Sequence, residues 1–330
     1  MTDTRGEPVA SHAGFVAYLQ LFRMPNIFTA AADVMMGYLF VRASLHPPAA
    51  FLILLAASCL LYTSGMVWND LFDVERDARQ RPERPLPSGR IGITRARRIA
   101  AGMMAAGVAL GWAAGQLGPA QAGWPWRSGA VATLLALSIL LYDGVLKATF
   151  AGPLAMGACR GLNVLLGMSL GAEPARGLWT LGGYDAAQFL LAAGIGTYIA
   201  GVTWFAQTEA EVSRRRRLAW GLGVMLAGIL LLALFPDYGA FAVSRSLRFN
   251  SPVVWPLLLV LLAFSVVRRC LLAIARPDPL RVQVAVKQCI LTLIVLDASI
   301  CLAVRGPIWA LAILALLVPM LLLGRSLPST

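Results

Sequence analysis

The chain has 330 residues, of which 58% are hydrophobic and only 13% charged, with a mean hydropathy of +0.72. Such a composition excludes an ordinary soluble globular domain and requires a surface that meets lipid. The net charge of +12 is carried almost wholly by arginine, for Lys147 and Lys287 are the only lysines, and its dispersal over loops argues against nucleic acid as a partner.

Residues 1–14 are polar and read as a cytoplasmic N-terminus without the pattern of a signal peptide; residues 15–330 read as one integral-membrane domain. About ten apolar stretches reach the ~20 residues that a bilayer span needs. They cover 15–42, 48–69, 97–118, 128–147, 152–171, 184–207, 217–235, 253–275, 283–303 and 307–324. Arginines crowd after the second span (Arg76 to Arg98), after the sixth (Arg214 to Arg217) and after the eighth (Arg268, Arg269, Arg276, Arg281). With alternating spans these loops share one side, which the positive-inside rule makes cytoplasmic. Cys59, Cys159, Cys270, Cys289 and Cys301 have no pairing or metal spacing, and His12 and His46 lie outside polar clusters. Thiol and imidazole chemistry is therefore not expected.

The second span ends in Asn69-Asp70-Leu71-Phe72-Asp73-Val74-Glu75-Arg76-Asp77. In a helix Asn69, Asp73 and Asp77 recur at i, i+4 and i+8, with Asp70 beside them. Like charges on one face repel unless a cation lies between them, and an oxygen-only donor set favours Mg²⁺. The bland alternative is a solvated acidic helix end neutralised by Arg76, Arg79 and Arg81. A second helix end repeats part of the pattern: Tyr62, Gly65 and Trp68 match Tyr198, Gly201 and Trp204 in spacing. That offset lays Glu209 on Asp73 and Glu211 on Glu75, within Gln207-Thr208-Glu209-Ala210-Glu211. In the fifth span, Arg160 lies deep in an apolar run, with Asn163 at i+3 on its face. A guanidinium there must meet a polar interior or an anion.

NDLFDVERD followed by RPERPLPSG resembles the first aspartate-rich motif of the UbiA-type intramembrane prenyltransferases. The resemblance covers most of the chain, most strongly residues 20–215. It implies the all-α UbiA fold, with nine core transmembrane helices and the span 307–324 as an addition. It further implies Mg²⁺ held by Asn69, Asp70, Asp73, Asp77 and Glu209, and transfer of an isoprenyl group from an allylic prenyl diphosphate to a small, aromatic or otherwise hydrophobic acceptor beside membrane lipid. Asp70, Asp73, Asp77 and Glu209 would carry catalysis. Arg81, Arg84 and Lys147 would hold the diphosphate, Tyr142 and Lys147 being similar to the family's Tyr-x-x-x-x-Lys element. Asn26 follows an Arg23, Pro25, Asn26 series similar to the family's first helix and would reach the acceptor, with Arg160, Asn163, Gln207 and Glu211 as further substrate contacts. The chain departs from the family where its second motif has no aspartate. GPLAMGACRGLNVLLG is similar to the EboC-like branch. A transferase acting on a phosphorylated sugar or lipid phosphate, a transporter and a silent scaffold remain open beside this reading.

Overall fold

The computed structural model describes residues 7–118, 124–172, 179–207, 212–238, 247–249 and 251–326. Helix α1 (Glu7–Leu21) begins inside the stretch assigned to a polar N-terminus. A 3-10 turn, Met24–Asn26, then leads into α2 (Ile27–Val41). The single first span expected over 15–42 is therefore broken. Arg23 takes a left-handed backbone conformation (φ 45°), and Pro25, which lacks the N–H that a continuous helix requires, opens the next turn.

Helices α3 (Pro48–Phe72), α4 (Val74–Gln80), α5 (Ile93–Gln116) and α6 (Arg127–Leu141) follow. A π-helical turn, Tyr142–Leu146, extends α6 and precedes α7 (Gly152–Met168). The hairpin β1 (Thr180–Leu181) and β2 (Tyr184–Asp185) pairs Thr180 with Asp185 before α8 (Ala186–Ala206). Asp185 accepts from the Gln188 amide while the Gln188 side chain accepts from the Asp185 amide, a reciprocal cap that fixes where α8 starts. Helices α9 (Arg215–Leu234), α10 (Val254–Ala275) and α11 (Pro279–Arg305) complete the bundle, with α12 (Pro307–Leu314) and α13 (Leu317–Ser326) behind them.

Among the described residues nine stretches are long and apolar enough to cross a membrane. Helix α7, with 17 residues, stands at the lower limit for a span and packs among α2, α6 and α8. The chain is an all-α, multi-pass transmembrane bundle. Leu52, Leu134, Leu137, Leu261 and Phe264 point outward as lipid-facing groups, because helices satisfy their own backbone and can present any apolar side chain to hydrocarbon. Inside, small residues let helices touch. A Cβ on Gly37 of α2 would lie 2.6 Å from the Val164 carbonyl oxygen, and one on Gly167 of α7 would lie 2.7 Å from the Val34 carbonyl oxygen. This approach brings the middle of α2 against the middle of α7, where the buried polar residues of both helices meet.

The two ends of the bundle are built differently. At one end the C-termini of α3 and α6 converge, and there Lys147 pairs with Asp73. The α8–α9 and α10–α11 connections also meet each other, through Ser213 N–H to the Pro277 carbonyl (3.2 Å) and Arg215 to the Ala275 carbonyl (3.0 Å). At the other end Arg127 opens α6 and donates to the carbonyls of Ser169 (2.7 Å), Gly171 (2.6 Å) and Gly183 (2.6 Å). Its guanidinium also lies 4.9 Å from the Tyr184 ring centroid, so one buried cation ties α6, α7 and the hairpin together.

Candidate functional site

The acidic stripe lies at the junction of α3 and α4. Asp73 leaves helical geometry there, yet hydrogen bonds from Asp73 N–H to the Asn69 carbonyl and from Asp77 N–H to the Asp73 carbonyl carry the helical register across. Asn69, Asp73 and Asp77 therefore stay on one side, as their spacing predicts. Each carboxylate meets a cation from a different segment. Arg23 donates to Asp70 at 2.7 Å, and Arg84 donates to Asp77 at 2.7 Å while lying 3.7 Å from Asp70. Lys147 pairs with Asp73. The π turn after α6 closes Lys147 N–H onto the Tyr142 carbonyl, and this wider turn sets the direction from which Lys147 reaches α3. Asn69 Nδ2 donates to Asp143 Oδ1 at 2.8 Å, which draws a further carboxylate into the cluster.

Below this mouth the bundle opens into a cavity walled by apolar side chains together with Tyr62, Tyr142, Asp143, Arg160 and Asn163. Asn163 accepts from Ser58 (2.6 Å) and donates to Asp33 (3.0 Å), and Arg160 pairs with Asp33 at 2.6 Å.

The residues picked out from sequence divide accordingly. Asn69, Asp70, Asp73, Asp77, Arg84 and Lys147 come together at the mouth, while Tyr142, Arg160 and Asn163 line the cavity. Arg81 ends α4 half-buried. Asn26, half-buried at the start of α2, is outside the cavity lining, and Gln207 is exposed at the end of α8. Glu209 and Glu211 lie outside the described residues. The matched Tyr-Gly-Trp series has different surroundings in its two copies. Tyr62 lines the cavity and Gly65 faces Ile139, whereas Tyr198 donates to the Cys289 carbonyl at 2.9 Å and Gly201 faces α9. Asp33 and Asp143 were missed in sequence, and Arg23 was noted beside Asn26 but given no role at the site. Asp33 had a visible signal, since it is a lone acid inside the apolar run Thr29-Ala30-Ala31-Ala32-Asp33-Val34-Met35-Met36.

Among the described residues no group of three or more His, Cys, Asp or Glu side chains could by itself hold a metal ion. A hard cation such as Mg²⁺ does not demand such a cage, because it keeps several waters and is commonly held by one or two carboxylates plus substrate phosphates. Asn69, Asp70, Asp73 and Asp77 offer oxygen alone, the donor type that suits it. Arg23, Arg84 and Lys147 now balance these acids and could turn to a diphosphate instead. Oxygen donors set beside three cations are an arrangement that suits a hard cation together with a polyanion.

The sequence profile of the UbiA prenyltransferase family matches residues 30–279. The chain belongs to this family. It is 34% identical over 164 residues to the digeranylgeranylglyceryl phosphate synthase of Methanopyrus kandleri, covering 49% of this chain and 56% of that protein. It is 42% identical over 92 residues to the synthase of the same name from Sulfolobus acidocaldarius, covering 28% of this chain and 33% of that protein. The chain thus spans between a third and just over half the length of these two relatives. A UbiA homologue from Aeropyrum pernix K1 superposes with a TM-score of 0.60 at 18% identity, over 84% of this chain and 97% of that one. A UbiA homologue from Archaeoglobus fulgidus bound to DMAPP and Mg²⁺ superposes with a TM-score of 0.55 at 14% identity, over 90% and 99%. At such identities the likeness establishes the shared fold.

Proposed function

We propose that the chain transfers an isoprenyl group from an allylic prenyl diphosphate to an acceptor held in the cavity below the mouth. The observation that carries this reading is the meeting of four oxygen-donor side chains and three cations, from four segments, directly above an apolar cavity in a membrane bundle. Asn69, Asp70, Asp73 and Asp77 would hold Mg²⁺, with Glu209 completing the set. The metal supplies charge neutralisation for the departing diphosphate. Arg84 and Lys147 bind diphosphate oxygens as Asp77 and Asp73 release them, and Arg81 adds a contact from the end of α4.

Cleavage of the allylic C–O bond leaves positive charge on the isoprenyl carbon. The apolar walls keep water from quenching it, and Tyr62 and Tyr142 line the same space. The acceptor nucleophile attacks that carbon and loses a proton, giving the prenylated product and diphosphate. An aromatic acceptor was expected from sequence; the names of the relatives favour the hydroxyl of a glyceryl phosphate lipid instead. The arginine-rich segments support a mouth on the cytoplasmic face, where soluble diphosphates and Mg²⁺ are available.

The test is incorporation of label from an allylic prenyl diphosphate into extractable product, with a glyceryl phosphate lipid and with a hydroxyaromatic acid as acceptors. Transfer should require Mg²⁺, vanish in excess chelator and return when Mg²⁺ is restored. Label incorporation that persists in chelator contradicts the reading.

A further inference from the structure

Well below the mouth, two carboxylates and a guanidinium meet in the bundle core. Arg160, midway along α7, has its Nε 2.6 Å from Asp33 Oδ2 of α2. Asn163 donates to the same oxygen at 3.0 Å and to the Ala30 carbonyl at 3.1 Å. Asp297 of α11 is a further buried acid, 0% exposed like Asp33, and neither of its carboxylate oxygens has a hydrogen-bond partner among the described residues.

Arg127 shows what a purely structural arginine looks like in this protein. Its Nε, Nη1 and Nη2 are all taken by backbone carbonyls. Arg160 is finished differently. Its Nε faces Asp33 as an ion pair without hydrogen-bond geometry, and its Nη2 is buried and meets no acceptor among the described residues, while the side chain lines the cavity. A buried guanidinium donor left unfilled is costly, and a cavity is where a ligand oxygen can fill it.

We propose that Arg160 is the seat for an anionic group carried by the acceptor, a carboxylate or a phosphate monoester. On this assignment the cavity selects acid-bearing acceptors and holds them with the acid toward the bundle core and the nucleophile toward the mouth. Asp33 is the positioning residue that aims the guanidinium. The proposal rests on the transferase reading for the word acceptor, but the seat itself binds without turnover.

The test is equilibrium binding to the full chain in detergent, with no prenyl donor present. Two probe pairs are used: 4-hydroxybenzoate against its methyl ester, and an alkylglycerol phosphate against the alkylglycerol. In the parent the acid of at least one pair should bind about tenfold or more tightly than its neutral partner, and the pair that responds tells carboxylate from phosphate. Arg160→Gln alone would strand the Asp33 charge, so the decisive variant is the double substitution Asp33→Asn with Arg160→Gln, which removes both charges together. It should bind acid and neutral probe within about twofold of each other. Arg160→Lys keeps the charge but loses the planar fork, and its discrimination should fall between the two. A parent that binds acids and neutral partners alike, or a double variant that keeps the acid preference, overturns the assignment. A parent that prefers acids but transfers no isoprenyl group keeps the seat and removes the transferase reading; one that transfers to ester and acid alike does the reverse.

Discussion

Asp73→Asn and Asp77→Asn remove equivalent charges one helical turn apart, yet the structure gives them different consequences. The Asp73 and Lys147 side chains are 21% and 24% exposed, so solvent screens the pair, and such pairs contribute about 0–1 kcal/mol to stability. The Asp77 and Arg84 side chains are each 7% exposed and lie 2.7 Å apart. Breaking a fully buried pair costs about 3–5 kcal/mol. Here asparagine retains one oxygen acceptor and Arg84 still has Asp70 at 3.7 Å, so the loss should be nearer the ~1.5–3 kcal/mol of one charge-assisted hydrogen bond. Both variants should lower transfer by about 10²–10³-fold, the usual effect of removing one group from a preorganised electrostatic site. Label incorporation from an allylic diphosphate at saturating Mg²⁺ measures the first effect, and thermal unfolding in detergent followed by tryptophan fluorescence measures the second. Asp73→Asn should melt with the parent and Asp77→Asn several degrees lower. If Asp73→Asn stays fully active, the mouth is not the site. If the two variants melt alike, the argument from burial is wrong.

Three further outcomes follow from packing and topology. Arg127→Lys keeps the charge but cannot reach three carbonyls in different directions; it should lower the melting midpoint by several degrees while leaving the Mg²⁺ requirement of transfer unchanged. Gly37→Ala puts a methyl group 2.6 Å from the Val164 carbonyl oxygen, so α2 and α7 must separate; a loss of about 1–3 kcal/mol should appear as reduced thermal stability, and a melting midpoint equal to the parent's would contradict the close approach. In a background without native cysteines, Arg90→Cys should react with an impermeant thiol probe only from the cytoplasmic side and Thr180→Cys only from the opposite side; labelling of position 90 from outside would reverse the proposed orientation.

What could be read in advance follows from the range over which each signal acts. Span positions came from runs of apolar residues, and the stripe of Asn69, Asp73 and Asp77 from a helical period, both of which are local. The break at Arg23 was hidden because residues 15–42 are apolar on both sides of it, and hydropathy does not register a backbone turned by one left-handed residue followed by Pro25. Two of the cations at the mouth divided along the same line, whereas Lys147, 74 residues from its partner Asp73, was found only through its likeness to the family's Tyr-x-x-x-x-Lys element. Arg84 follows Asp77 closely in the chain and was picked out, whereas Arg23 reaches Asp70 only because α1 and α2 are not continuous. Asp33, Arg160 and Asp297 are the extreme case, since they belong to three helices at widely separated places in the chain. Taken singly, Arg160 signals only that something polar must face it, and Asp33 and Asp297 are isolated acids in apolar runs. The cost of burying each charge in hydrocarbon is nevertheless a constraint on all three together, because a cation and an acid that both lie mid-span must find each other or a ligand. Pairing intramembrane charges across the chain before assigning roles would have joined Asp33 to Arg160 from sequence. It would not have shown the unfilled Nη2, which depends on the direction of a side chain and on the cavity beside it.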